Sequence, residues 1–144
     1  MKSKLKIIGW REWIGLPELG IDRLKVKVDT GARTCALHAT RIRYRESKDG
    51  TTIVAFDIVG THKEVIHAKA PLVEQRKVKS SLGHASLRPV IRTKLKIGDE
   101  EWETEVTLVN RDPMGFRMLL GRQALKKRFL IHPSRSFIQS KEEL

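Results

Sequence analysis

Cysteine is almost absent: Cys35 is the single one among 144 residues. An internal disulfide is therefore excluded, a cysteine-rich metal site is too, and a reducing compartment fits. Long apolar runs are also missing. No stretch approaches the length of a membrane helix, and the apolar residues between Met1 and Leu16 are interrupted by Lys6, Arg11 and Glu12. Neither a membrane span nor a secretion signal is expected, and the cytoplasm is the natural location. There is no Walker A run, so nothing in the chain hydrolyses ATP by itself. The zinc-protease pattern His-Glu-x-x-His is missing as well. His62 and His67 bracket Glu64 but stand five apart, out of alignment on a helix and on opposite faces of a strand.

Negative charge is the other shortage. Asp and Glu number 17 against 29 Lys and Arg, a net charge of +12. Such a field favours acidic partners, whether RNA, a ribosomal surface or an acidic peptide, and composition alone does not choose among them. A solvated basic surface that serves only solubility is the plain alternative. What is present is an ordinary globular balance, 40% apolar and 32% charged, with no repeat, low-complexity tract or linker. One domain over residues 1–144 is expected, with a polar, loosely ordered tail at 134–144.

The patterning reads as strands. Lys25–Val28 and Arg41–Tyr44 alternate with period two, Thr52–Val59 is rich in β-branched and aromatic residues, and Ser47–Gly50 supplies a turn. The sharpest signal lies between Pro89 and Asn110, where two alternating runs flank Gly98-Asp99. Pairing Ile97 with Glu100 sets Leu95 opposite Trp102, Thr93 opposite Thr104 and Ile91 opposite Val106 on one face. The other face then pairs Lys96 with Glu101, Lys94 with Glu103 and Arg92 with Glu105. A slip of one residue destroys both patterns. One helix is expected over Arg122–Arg128, followed by a strand at Phe129–His132 that Pro133 stops. The class is mainly β, an irregular barrel or sandwich with one short C-terminal helix.

Two short motifs stand out. The strand Lys25–Val28 runs into Asp29-Thr30-Gly31-Ala32, and Met118-Leu119-Leu120-Gly121-Arg122 closes on glycine just before the helix. In that order the two motifs resemble the retropepsin-like aspartic proteases, over roughly Lys25 to Arg128. The resemblance implies a pepsin/retropepsin-like closed barrel, the half of an acid protease. The wider phrasing Val28–Thr34 with Leu37-His38-Ala39, then Arg88–Thr93, is similar to a narrower bacterial family labelled an ATP-dependent zinc protease. Its members are commonly encoded near ATP-grasp peptide ligases, so the resemblance implies a link to such a ligase.

An aspartic protease needs two carboxylates about 3 Å apart that share one proton. This chain holds one Asp-Thr-Gly and no Asp-Ser-Gly, so the resemblance implies a homodimer with Asp29 of each subunit in the dyad. It assigns Thr30 the hydroxyl that braces the paired loops and Gly31 a close backbone approach to substrate. Leu119, Leu120, Gly121 and Arg122 support the loop. Ala32, Arg33, Gly83 and His84 are expected against substrate, with a flap at Val78–His84. Ala32 has no hydroxyl to stabilise the charged dyad, which predicts activity nearer neutral pH than in strong acid. Arg33 stands where retroviral enzymes place an acid, which leaves Arg122 in search of a partner.

No cofactor is expected, and no metal either. Cys35 and His38 lie three apart near Asp29, but a third ligand such as His84 would have to come from elsewhere. A zinc protease and a Cys35–His38 nucleophile pair are weaker alternatives. The alternative of another class is a non-catalytic basic β-barrel that binds RNA or a ribosomal surface, with Trp10 and Trp13 available for stacking. For the enzyme, the substrate expected from the charge is an acidic peptide, such as a glutamate-rich tail.

Overall fold

The computed structural model describes residues 5–79, 83, 85–110 and 115–140. In chain order the strands are β1 (Lys6–Gly9), β2 (Arg11–Leu16), β3 (Ile21–Val28), β4 (Cys35–His38), β5 (Thr40–Glu46) and β6 (Thr52–Val59). There follow β7 (Val65–Lys79), β8 (Ala85–Ile97), β9 (Glu100–Val109), β10 (Met118–Leu120), the helix α1 (Arg122–Leu125) and β11 (Phe129–His132). Strands β2-β3-β10-β4-β9-β8 close into a six-stranded barrel through the pairing of β2 with β8 at Gly15 and Lys96. Beyond β8 the sheet continues through β7 and β6 to β5 as its edge. The expected mainly β closed barrel is the fold.

Alternation explains the barrel wall. On β3, Leu24 and Val26 are buried while Arg23, Lys25 and Lys27 point outward. Each fully buried Leu or Ile contributes about 1.5–3 kcal/mol relative to exposure. The β8–β9 hairpin has the register the sequence predicts, from Ile97 opposite Glu100 to Ile91 opposite Val106, and Gly98 turns it at φ +57°. Its ion pairs differ from that expectation. Lys94 reaches diagonally to Glu101 at 3.9 Å, and Glu105 pairs with Arg76 of β7 at 3.3 Å.

Three departures have physical causes. The helix stops at Leu125 because Lys127 takes φ +67°, a turn that delivers Phe129 into the core against Trp102. Burial of an aromatic outweighs the helix propensity of Lys126–Arg128. The segment expected to fray beyond Ser134 is instead docked through Ser140. The Glu12 carboxylate is fully buried and accepts hydrogen bonds from the amides of Gly9, Ile138 and Ser140 and from the Ser140 hydroxyl, at 2.6–3.0 Å. Phe137 stacks on Trp13 at 5.8 Å. Finally, β7 was not foreseen. It pairs with β6 up to Pro71 and with β8 from Leu72, so the proline, which has no amide to donate, marks where the strand changes partner.

Candidate active site

Strand β3 ends at Val28, whose amide donates to the Trp10 carbonyl at 2.8 Å. Strand β10 lies between β3 and β4, parallel to the first and antiparallel to the second. Met118 and Leu120 are fully buried there, and this threading places the Asp29 loop beside Gly121. The Asp29 amide then donates to the Leu120 carbonyl at 2.9 Å. Amides of Arg122 and Gln123 donate to the carbonyls of Ala32 and Arg33 at 2.9 and 3.1 Å.

Gly121 is required by proximity. A Cβ added there would lie 2.8 Å from the Thr34 Cα and nearer still to the Thr34 carbonyl. Arg122 finds its partner in the loop itself: its Nη1 donates to the carbonyl oxygens of Gly31 at 3.2 Å and Thr30 at 3.4 Å. The loop is therefore held at both ends and along its outer turn. Leu119, Leu120, Gly121 and Arg122 come together with Asp29-Thr30-Gly31.

Asp29 is half-buried, with Thr30, Gly31 and Arg33 exposed beside it. The Gly31 amide donates to Asp29 Oδ1 at 3.1 Å, and a Cβ on Gly31 would stand 3.2 Å from that same oxygen. Among the described residues no cation forms an ion pair with Asp29. Its carboxylate is thus anchored at one oxygen by a backbone donor, with Oδ2 available. Beside the loop is a cavity of about 470 Å³ lined by Thr30, Arg33, Arg122, Lys126 and the apolar Leu125 and Phe129. Lys126 was not anticipated as part of this site. It follows directly on α1, with an extended ψ of 131° where the sequence predicts continued helix.

Of the expected substrate-facing residues, Ala32 and Arg33 lie in the Asp29 loop. Gly83 has φ +86° at the tip of the β7–β8 hairpin, whereas Ser80, Ser81, Leu82 and His84 lie outside the described residues. Val78 and Lys79, expected in a flap, are the last residues of β7, paired with Ser86 and Ala85.

Cys35 and His38 do not come together. They lie on opposite faces of β4, Cys35 inward and fully buried. Burial pushes the Cys35 thiol up to about 11, only partly offset by a hydrogen bond from the Gly121 backbone. Neither a nucleophile pair nor a shared metal can be built from them. Among the described residues no three His, Cys, Asp or Glu side chains gather as a metal set.

The family model that describes the retropepsin-like aspartic endopeptidase RimB matches residues 7–142. The chain belongs to the RimB-like family. Its description is that of an aspartic endopeptidase, and the matched range takes in both the Asp29 loop and Gly121. Similar proteins from Desulfotalea psychrophila and Shewanella pealeana are 43% and 41% identical over 90% and 95% of this chain, and each is named a probable alpha-L-glutamate ligase. The chain spans only 28% and 30% of their lengths. A crystal structure of a Legionella pneumophila protein of unknown function superposes with a TM-score of 0.80 at 28% identity, covering 94% of this chain and 99% of that one. No helix among the described residues is long and apolar enough to cross a membrane.

Proposed function

We propose that the chain is one half of an aspartic endopeptidase, active as a homodimer, that cleaves acidic peptides. The observation that carries this reading is the Asp29 loop. A carboxylate with no ion-pair partner among the described residues sits at a strand end, anchored at Oδ1 by the Gly31 amide, on a loop whose backbone is tied to Leu120, Arg122 and Gln123.

With two Asp29 carboxyls about 3 Å apart, one is charged and one protonated. The charged one takes a proton from water as the water oxygen bonds to the scissile carbonyl carbon. The protonated one gives its proton to the carbonyl oxygen. Collapse of the resulting gem-diol breaks the C–N bond, and the leaving nitrogen receives a proton.

Preference for acidic substrates follows from Arg33, Arg122 and Lys126 around the cavity beside the loop. The names of the relatives point the same way: a segment shared with proteins named for joining α-L-glutamate suits the hydrolysis of glutamate-rich chains. Those names also favour a second reading, in which the segment holds a glutamate chain for a ligase and does no chemistry.

Asp29→Asn separates the two. Cleavage of a glutamate-rich peptide, followed by mass spectrometry, should fall by a factor on the order of 10²–10⁴ or more, with peptide affinity retained. Unchanged turnover would refute the peptidase. No turnover by the wild-type protein, with tight peptide binding, would favour the holding role.

A further inference from the structure

A second basic groove lies away from the Asp29 loop, on the β5–β6–β7 layer that extends from the barrel. It has a volume of about 710 Å³. Small and apolar residues make its floor, Ile53 and Ala55 among them, and its rim carries Arg43, Arg45, His67 and Lys69. No acidic side chain lines it.

Arg43 on the rim and its neighbour Arg41 are arranged by a local distortion. Strand β5 shifts register against β6 between Thr40 and Arg43, and there Arg41 adopts φ +51°. A left-handed arginine at a bulge is a costly backbone choice, and bulges serve to re-aim side chains. Here the bulge lets two arginines converge on one buried carboxylate. Arg41 Nε lies 3.7 Å from Asp57 Oδ2, and Arg43 Nη1 lies 3.9 Å from Asp57 Oδ1 and 2.7 Å from the Arg41 carbonyl. His67, the register partner of Asp57 on β7, holds it through Nδ1 at 2.7 Å.

Asp57 is a buried acid beneath two permanent positive charges. Its carboxyl is held below the ordinary aspartate range, chiefly by the hydrogen bond from His67. The three partners stay open to solvent, with side chains 72% (Arg41), 48% (Arg43) and 68% (His67) exposed. Asp57 therefore holds the Arg41 and Arg43 guanidinium groups and the His67 ring in place while much of each side chain stays open to solvent. Arg45 and Lys69 add to that charge and have no ion-pair partner among the described residues.

We propose that this groove is a second binding site for the acidic chain, holding carboxylate side chains at a distance from the bond that is cut. The proposal rests on the acidic-substrate reading and adds to it a place that measures the length of the chain. Charge selects an anion, and the floor selects the kind. Apolar residues suit the methylene stems of glutamate, whereas no aromatic side chain lines the groove to stack a nucleobase. Because β5 is the edge of the sheet, nothing on its outer side closes the groove among the described residues.

The test measures binding to the Asp29→Asn protein, so that turnover does not interfere. The probes are fluorescent α-linked glutamate oligomers of about four and about twelve residues, the longer reaching roughly 40 Å when extended. The variant is Arg45→Glu with Lys69→Glu, two exposed positions; Arg45→Gln with Lys69→Gln checks that loss of charge acts in the same direction as reversal. At low ionic strength the long oligomer should bind the reversed variant about tenfold or more weakly, the short one within about twofold. An unchanged affinity for the long oligomer would overturn the proposal. So would tighter competition by an oligothymidylate of equal charge, which would make the groove a nucleic-acid site. If the wild-type protein cleaves nothing yet the groove variants lose the long oligomer, the groove stands and the peptidase falls. If it cleaves acidic peptides and the groove variants bind normally, the reverse holds.

Discussion

Cys35 is 1% exposed, packed under the turn that Gly121 makes, with its thiol pushed from 9.0 to about 11 by burial. A thiol raised in the folded state keeps its full contribution to stability below pH 9.0 and loses it as pH rises toward about 11. Over that window the unfolded chain sheds the proton first, and stability should fall by about 2–3 kcal/mol. Urea midpoints at pH 8 and pH 11 for the wild type and Cys35→Ala measure it: the drop should be smaller in the variant, and native protein at pH 8 should resist alkylation. Glu12 presents the opposite chemistry, a buried carboxylate that gathers amides from Gly9 and from Ile138 to Ser140. Glu12→Gln turns an acceptor into a donor against those amides, and should cost about 2–4 kcal/mol in urea unfolding. A loss under about 0.5 kcal/mol would show that the C-terminal segment docks without it.

At the scale of elements, β10 decides the site. Three residues long, it separates β3 from β4 and brings Gly121 within contact of Thr34. Gly121→Ala must push that backbone apart, so a loss of about 2–4 kcal/mol is expected, together with loss of cleavage; Leu119→Ala, half-exposed on the same strand, should cost less. A Gly121→Ala protein with wild-type melting would contradict the packing. Both motifs were legible in the sequence because each couples a strand end to a turn residue. The β8–β9 register was legible for a stronger reason, since two independent patterns, apolar and charged, agree on one alignment. What was not legible depends on distant or nameless partners. The carbonyls that Arg122 grips belong to backbone, which leaves no mark in composition, and Glu12 meets amides more than 120 positions away. Strand β7 hides its alternation by changing partner at Pro71.

The whole molecule, read as one half of an enzyme, exposes what an assembly would cover. Thr30 and Gly31 are open to solvent, and one face of the small parallel sheet formed by β1 and β11 presents Ile7 beside Leu130, with Leu5 near it, at 44–54% exposure. Phe129 and Ile131, on the other face of β11, line the cavity that Thr30 borders, so the sheet adjoins the Asp29 loop through that second face. A two-fold contact counts each residue twice. Burying the exposed half of Leu130 in both subunits is then worth about 1.5–3 kcal/mol, and Leu130→Glu should weaken the dimer about tenfold or more. Sedimentation should show dimers of the wild-type protein dissociating on dilution, with specific activity falling over the same concentration range. For Leu130→Glu both transitions should move together to higher concentration, while thermal stability of the monomer changes little because Leu130 is already exposed. A monomer that retains full activity at every dilution would remove the need for a second Asp29.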